Sequence, residues 1–318
     1  ANFADALFTA TSAVCVTGLV VHDTALYWSE FGQAVILMLI QVGGLGFMTL
    51  SILVAILLHR RVGLHQRSVL MDTVGALQMG GVVRLTRRAL LVTAAWEGTG
   101  AVLLAFWFCP RYGLGRGLWM AVFHAVSAFC NAGFDLLGTG ASLTTEAGEP
   151  LLNLVIMALI VAGGLGFLVW DDVLVNRFHF RRYRLHSKLV LTGTAALLVT
   201  GTVLFYIVEG DHAFAGVPAG QRLLMAAFQS VTCRTAGFNT ADLMALSQAG
   251  MLISMALMFV GAGSGSTGGG IKVNTFAVLL LGIRARALRK DDVNVFHRRL
   301  ENDTIQQAFS SVSIFALT

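Results

Sequence analysis

Apolar positions in this chain come in long blocks, and three of them, residues 31–58, 151–170 and 189–208, contain no charged side chain. Each reaches or exceeds the roughly 20 residues that a membrane-spanning helix requires. Residues 89–109 form a fourth block, interrupted only by Glu97 and followed by Pro110, which is expected to stop the helix. Shorter blocks at 3–14, 118–133 and 223–237 cannot cross. A segment of that length entering a bilayer returns to the side it came from. The pattern predicts an order of span, half-crossing, span, with spans at 31–58, 85–109, 151–175 and 189–208, a long segment at 243–283, and a further span from Ile305.

The half-crossings end alike. ATSAVCVTGLV (10–20), AVSAFCNAGFDL (125–136) and QSVTCRTAGFNT (229–240) each place a Ser or Thr and a Cys before a small residue, a glycine and a bulky apolar residue. The closing triplets are Thr17-Gly18-Leu19, Ala132-Gly133-Phe134 and Ala236-Gly237-Phe238. Glycine takes φ > 0 without steric cost, so a recurring glycine at a helix end predicts a repeated backbone shape. Gly18 and Gly133 are 115 residues apart, Gly133 and Gly237 104. That period predicts tandem repeats in parallel orientation about an axis along the membrane normal. Residues 1–59 would hold the pore loop and second span of repeat 1, its first span missing; 60–176 repeat 2; 177–284 repeat 3, with a broken second span; and 285–318 the start of a truncated repeat 4. By the same period a fourth glycine would fall beyond residue 318. The spans of the first two repeats share Gly43-Gly44-Leu45-Gly46-Phe47 and Gly163-Gly164-Leu165-Gly166-Phe167, where small residues allow another backbone close approach.

Composition agrees: 56% of residues are hydrophobic and 12% charged, with mean hydropathy +0.75. The expected fold class is an all-α membrane protein of tandem span, re-entrant pore loop, span units around a pseudo-fourfold pore, the fourth unit incomplete. Of the 22 Lys and Arg, 17 lie in belts at 60–88, 177–188 and 284–299, which the positive-inside rule assigns to the cytoplasm. The opposite loops carry Asp23, Glu30, Asp135, Glu146, Glu149, Glu209, Asp211 and Asp242, an acidic face that would concentrate cations. Cys15, Cys109, Cys130 and Cys233 have no metal-ligand spacing and suggest neither a metal site nor a disulfide framework. No paired carboxylates or nucleophile and base arrangement supports an enzyme, and no nucleic-acid partner is expected.

Irregular backbone within a bilayer is tolerated where protein buries it or where it lines a wet cavity. Three such turns on one axis could replace the hydration shell of a cation with carbonyl oxygens, aided by the partly negative C-terminal ends of the short helices. The bland alternative is a set of close-packed hairpins in which glycine serves only helix contact. Residues 261–272, GAGSGSTGGGIK, break an otherwise continuous apolar segment and cannot remain helical in lipid. Within them 263–268 match G-x-G-x-x-G, with Asp291 further on, but no βαβ pattern surrounds the match. A passive kink is the other alternative there. Lys272 is an intramembrane charge, Arg234 is read as a donor to loop carbonyls, His124 as a packed or hydrogen-bonded histidine, and the cysteines near the turns as packing residues. A secondary transporter of another cation or small solute, with a midplane site at broken helices, is the competing function; Asn131, Asn239 and Asn274 are its few polar candidates.

TSAVCVTGLVVHDT, IQVGGLGFMTL, SAFCNAGFD, QSVTCRTAGFNT and GSGSTGGGIKVNTF together resemble the Trk, Ktr and HKT superfamily of potassium transporters, most like the membrane subunit of a bacterial Ktr system. The resemblance covers almost the whole chain. It implies potassium uptake, a filter of backbone carbonyls at Val16, Thr17, Gly18, Asn131, Ala132, Gly133, Thr235, Ala236 and Gly237, and potassium as the transported ion, with sodium as a candidate activator and no organic cofactor. It also implies an intramembrane gating loop comprising Gly261, Gly263, Ser264, Gly265, Ser266, Thr267, Gly268, Gly269, Gly270 and Lys272. Implied partners are a second copy in a homodimer and a cytoplasmic nucleotide-binding ring of the RCK/KTN type; the implied location is the inner (plasma) membrane, crossed several times. Gly18 stands where some sodium-conducting relatives have serine. The departure from the family pattern is the fourth loop, which this sequence does not contain.

Overall fold

A computed structural model describes residues 2–46, 82–177, 179–289, 293–296, 298–300 and 302–317. Phe47, the second half of the first expected span, most of the first basic belt and Asp291 lie outside the described residues. In the first unit α1 (Phe3–Cys15), a helical turn α2 (Thr24–Tyr27) and α3 (Glu30–Leu45) follow one another. The second unit holds α4 (Val82–Tyr112), α5 (Leu114–Phe129), α6 (Pro150–Leu165) and α7 (Phe167–Asn176). The third holds α8 (Leu185–Val208), α9 (Ala219–Thr232), α10 (Gln248–Phe259) and α11 (Val273–Ala287). An antiparallel hairpin, β1 (Val293–Val295) and β2 (Arg298–Leu300), precedes α12 (Asn302–Leu317).

Local chemistry sets these boundaries. The Asp23 carboxylate accepts the N–H groups of Ala25 and Leu26 to start α2, and the Ser29 and Ser247 hydroxyls accept from Gly32 and Gly250 to start α3 and α10. Pro150 occupies the first turn of α6, where no amide is needed. Among the described residues, Arg84–Tyr112 and Leu185–Val208 are helices long and apolar enough to cross a membrane.

Four expectations need correction. Pro110 does not stop its helix: α4 continues through it to Tyr112 and ends at Gly113, whose φ is +81°. The expected span at 151–175 is not continuous, because α6 and α7 meet at 94°. Gly166, at φ +92°, makes that bend, and Gly46, its counterpart in the first unit, ends α3 at φ +78°. The GGLGF motif thus ends a helix at Gly46 and bends one at Gly166, as well as making a contact. The all-α expectation is modified by the β hairpin, whose Phe296 packs edge-on against Phe180 with the Lys188 ammonium 5.7 Å from the Phe296 ring. Glu209, expected among the outer acidic charges, is fully buried and accepts hydrogen bonds from the backbone and hydroxyl of Ser247.

Each short helix packs on helices near it in the chain, α1 on α3, α5 between α4 and α6, α9 on α8. Seams form between helices further apart in the chain: α3 against α5, and α6 against α9. Around them lies the main apolar core, with Phe108, Phe123, Phe129, Phe134, Phe228 and Phe238 fully buried. Gly43 and Gly163 are points of close contact, of α3 with α1 and of α6 with α5. A Cβ on Gly163 would collide with the Phe129 carbonyl oxygen, and one on Gly43 with that of Val14, the equivalent position one unit earlier.

Candidate functional site

The three short helices α1, α5 and α9 end in turns of one design. In each, φ is positive at the first and third residues of the expected triplet: Val16 at 55° and Gly18 at 74°, Asn131 at 58° and Gly133 at 73°, Thr235 at 68° and Gly237 at 84°. The middle residues Thr17, Ala132 and Ala236 are not among the positive-φ residues. Alternating the sign of φ turns successive peptide carbonyls towards one side instead of alternating them as in a strand. Left-handed backbone costs an L-residue about 1–2 kcal/mol, and Val16 and Thr235 are β-branched, so the surroundings must impose it. The turns are tied to the helices they end. Thr17 N–H donates to Ser12 O at 3.0 Å and Ala132 N–H to Ser127 O at 2.8 Å, the same spacing; Ala236 N–H donates to Thr232 O at 3.1 Å.

The turns lie side by side in sequence order. A Cβ built on Gly18 would stand 2.5 Å from the Ala132 carbonyl oxygen, and one on Gly133 would stand 2.8 Å from the Ala236 oxygen and from the Gly237 Cα. The Ala132 oxygen lies 3.9 Å from the equivalent position on Gly237. Peptide oxygens therefore occupy the space between neighbouring turns. Beyond the glycines the carbonyls are held elsewhere: Ser127 Oγ donates to Phe134 O at 2.7 Å, and Thr232 Oγ1 donates to Phe238 O.

Above the glycines opens a cavity of about 720 Å³, lined by Gly18, Gly133 and Gly237 together with Asp23, Asp135 and Asp242. Asp23 also accepts from Gly140 N–H at 2.9 Å, fastening the loop after the second turn to the first unit. Burial, and secondarily the Asp23 charge, raise the Asp135 carboxyl to about 6 against a lowering by the Leu137 amide.

The glycine-rich segment lies against the second and third turns. Gly263 N–H donates to Gly164 O at 2.8 Å and Phe167 N–H to Gly265 O at 2.8 Å, so the break in the second unit receives the loop of the third. Thr267 Oγ1 donates to Phe129 O at 3.0 Å and lies 3.3 Å from the Asn131 amide. The carbonyls of Ala128 and Ile160 face the other end of that amide at 3.2 and 3.3 Å, which assigns its nitrogen to them. Two cations brace the loop: Arg234 Nη2 donates to Gly261 O at 3.2 Å and Lys272 Nζ to Gly268 O at 2.7 Å. His124 is packed as the sequence suggests, its Nδ1 2.7 Å from Met120 O and its Nε2 accepting from Leu136 N–H at 3.3 Å.

Asn131, Asn239 and Asn274 do not converge: Asn131 is engaged below the turns, Asn239 lines the outer cavity, and Asn274 has a buried side-chain oxygen without a partner at the start of α11. Sequence reasoning missed a group behind the second turn. Gln41 Nε2 donates to Glu97 Oε2 at 3.3 Å, and the Cys130 thiol lies 3.9 Å from both Glu97 Oε1 and Gln41 Oε1. The signal available was the single carboxylate in the block 89–109. It also missed Asp171 and Asp172 on α7, which pair with Arg88 at 2.5 Å and with Arg184 at 3.4 Å.

Comparison with known proteins gives a consistent picture. The TrkH family, described as cation transport proteins, matches residues 1–318. The potassium/sodium uptake protein NtpJ of Enterococcus hirae is 41% identical over 310 residues, covering 97% of this chain and 68% of that protein. The Ktr system potassium uptake protein B of Bacillus subtilis is 39% identical over 318 residues, covering 99% and 71%. The solved structure of the potassium transporter TrkH from Vibrio parahaemolyticus superposes with a TM-score of 0.78 at 18% identity over all of this chain and 64% of that one, a likeness of fold.

Proposed function

The chain belongs to the TrkH family of cation transport proteins, and from that premise we propose that it takes up potassium across the cell membrane through a selectivity filter of backbone carbonyls. The observation that carries this reading is the side-by-side packing of three turns with the same left-handed alternation, Gly18 on Ala132 and Gly133 on Gly237. The filter comprises Val16, Thr17 and Gly18, Asn131, Ala132 and Gly133, and Thr235, Ala236 and Gly237. Carbonyls turned inward replace water around the ion, and the C-terminal ends of α1, α5 and α9 add negative potential at the same place. The acidic mouth gathers cations before dehydration. A fourth unit of the same kind would complete the ring.

Residues 261–272 act as the gate. They lie directly behind the second and third turns, and Arg234 and Lys272 hold their carbonyls. The names of the Ktr relatives support work as the membrane subunit of a larger system. A homodimer with a cytoplasmic nucleotide-binding ring is the assembly that this reading entails, in the inner membrane of a bacterial cell.

The test is Gly18→Ser, assayed as potassium and sodium flux in vesicles containing the full-length protein. A side chain there meets both a φ of +74° and the Ala132 oxygen 2.5 Å away. Discrimination of potassium over sodium should drop at least several-fold with transport retained. Unchanged discrimination would falsify the carbonyl filter.

A further inference from the structure

We propose that Glu97 is a positioning residue for the second filter turn, acting through Cys130 from the seam between the first and second units. The proposal rests on the filter reading above. Three polar side chains from three elements meet there: Gln41 on α3, Glu97 in the middle of α4, and Cys130 at the end of α5. The contacts close a ring, with Gln41 Nε2 on one carboxyl oxygen at 3.3 Å and the Cys130 thiol 3.9 Å from the other and from Gln41 Oε1.

Placement gives the ring its consequence. Cys130 is fully buried and immediately precedes Asn131, whose backbone sits at φ +58°. Glycine adopts that region without cost and asparagine at a reduced one, so the conformation is steadied by neighbours that over-determine it. A Cβ at Gly44, one turn along α3 from Gln41, would stand 2.5 Å from the Cys130 sulfur, so the thiol packs on the bare backbone of α3 beside the Gln41 and Glu97 side chains. A carboxyl group in the middle of a spanning helix is expensive and is placed where it has partners. Here one of its oxygens accepts from the Gln41 amide and the other faces the Cys130 thiol, whose single S–H has Glu97 Oε1 and Gln41 Oε1 as alternative acceptors. Replacing one oxygen by an amide nitrogen either sets donor against donor at the Gln41 amide or takes away one of the thiol's two acceptors, and each change loosens the hold on the turn.

The experiment compares Glu97→Gln, Cys130→Ala and Gly133→Ala in vesicles containing the full-length protein, reading the potassium to sodium permeability ratio and the potassium concentration at half-maximal flux. Loss of folded protein would lower total flux and leave both quantities where they are; displacement of the second turn moves them. The expected result is a several-fold lower ratio in Glu97→Gln and in Cys130→Ala. Should Glu97→Gln fail to accumulate, Cys130→Ala carries the test, since it removes the thiol and leaves the carboxyl in place. A lowered ratio in Gly133→Ala with wild-type values in Cys130→Ala and in any folded Glu97→Gln would overturn this inference alone. Wild-type values in all three would overturn the filter reading with it.

Discussion

Asp135 is half-buried in the cavity above the three turns, and burial with the nearby Asp23 holds its carboxyl at about 6. As external pH falls through that value the group takes a proton and the mouth loses one negative charge. The potassium concentration for half-maximal uptake should therefore rise on acidification from pH 7 to 5, and Asp135→Asn should show the acid value at both pH values; a variant retaining the wild-type pH dependence would exclude Asp135 as its source. At this scale the sequence was partly legible. Gly18, Gly133 and Gly237 announced their turns because glycine is the residue that such backbone favours. Val16 and Thr235 share the left-handed conformation without any mark in the sequence, since packing imposes it against the preference of β-branched residues, whereas Asn131 is of a type that tolerates it. Glu97 registered only as an interruption, because its partners Gln41 and Cys130 are 56 and 33 residues away.

Among the helices, the contacts at Gly43 and Gly163 decide how closely the short helices can lie against their neighbours. Gly163→Ala should lower the thermal unfolding temperature in detergent markedly, because its Cβ would meet the Phe129 carbonyl rather than a side chain that can move. Gly98→Ala, where nothing lies within 4 Å, is the control and should be neutral or gain up to about 1 kcal/mol of helix propensity. Equal unfolding temperatures for the two would mean that the close contact is not limiting. The helical blocks themselves were readable from apolar length. The bend at Gly166 was not, since a glycine within an apolar run marks a contact or a break with the same letter, and here the motif does both. Pro110 misled for a related reason: in the last turn of α4 it interrupts little that the helix end would not already leave open.

For the molecule as a whole, the seams of α3 with α5 and of α6 with α9 give the units a consistent order, and the glycine-rich segment links the second and third. Deleting residues 263–268 should raise potassium flux by removing the obstruction behind the turns; loss of flux in a folded variant would make the segment scaffold rather than gate. The repeat period was readable along the chain. The small hairpin at 293–300 was not, because three-residue strands within a basic stretch leave no alternating pattern long enough to recognise. Nor did the sequence suggest what α7 does. Its first amide bonds the Gly265 carbonyl, and one or two turns further on Asp171 and Asp172 grip Arg88 and Arg184. Its ten residues make a strut of about 15 Å. A pull on those arginines would reach the glycine-rich segment as a crowbar delivers effort, over a short arm and without passing through the three turns at all.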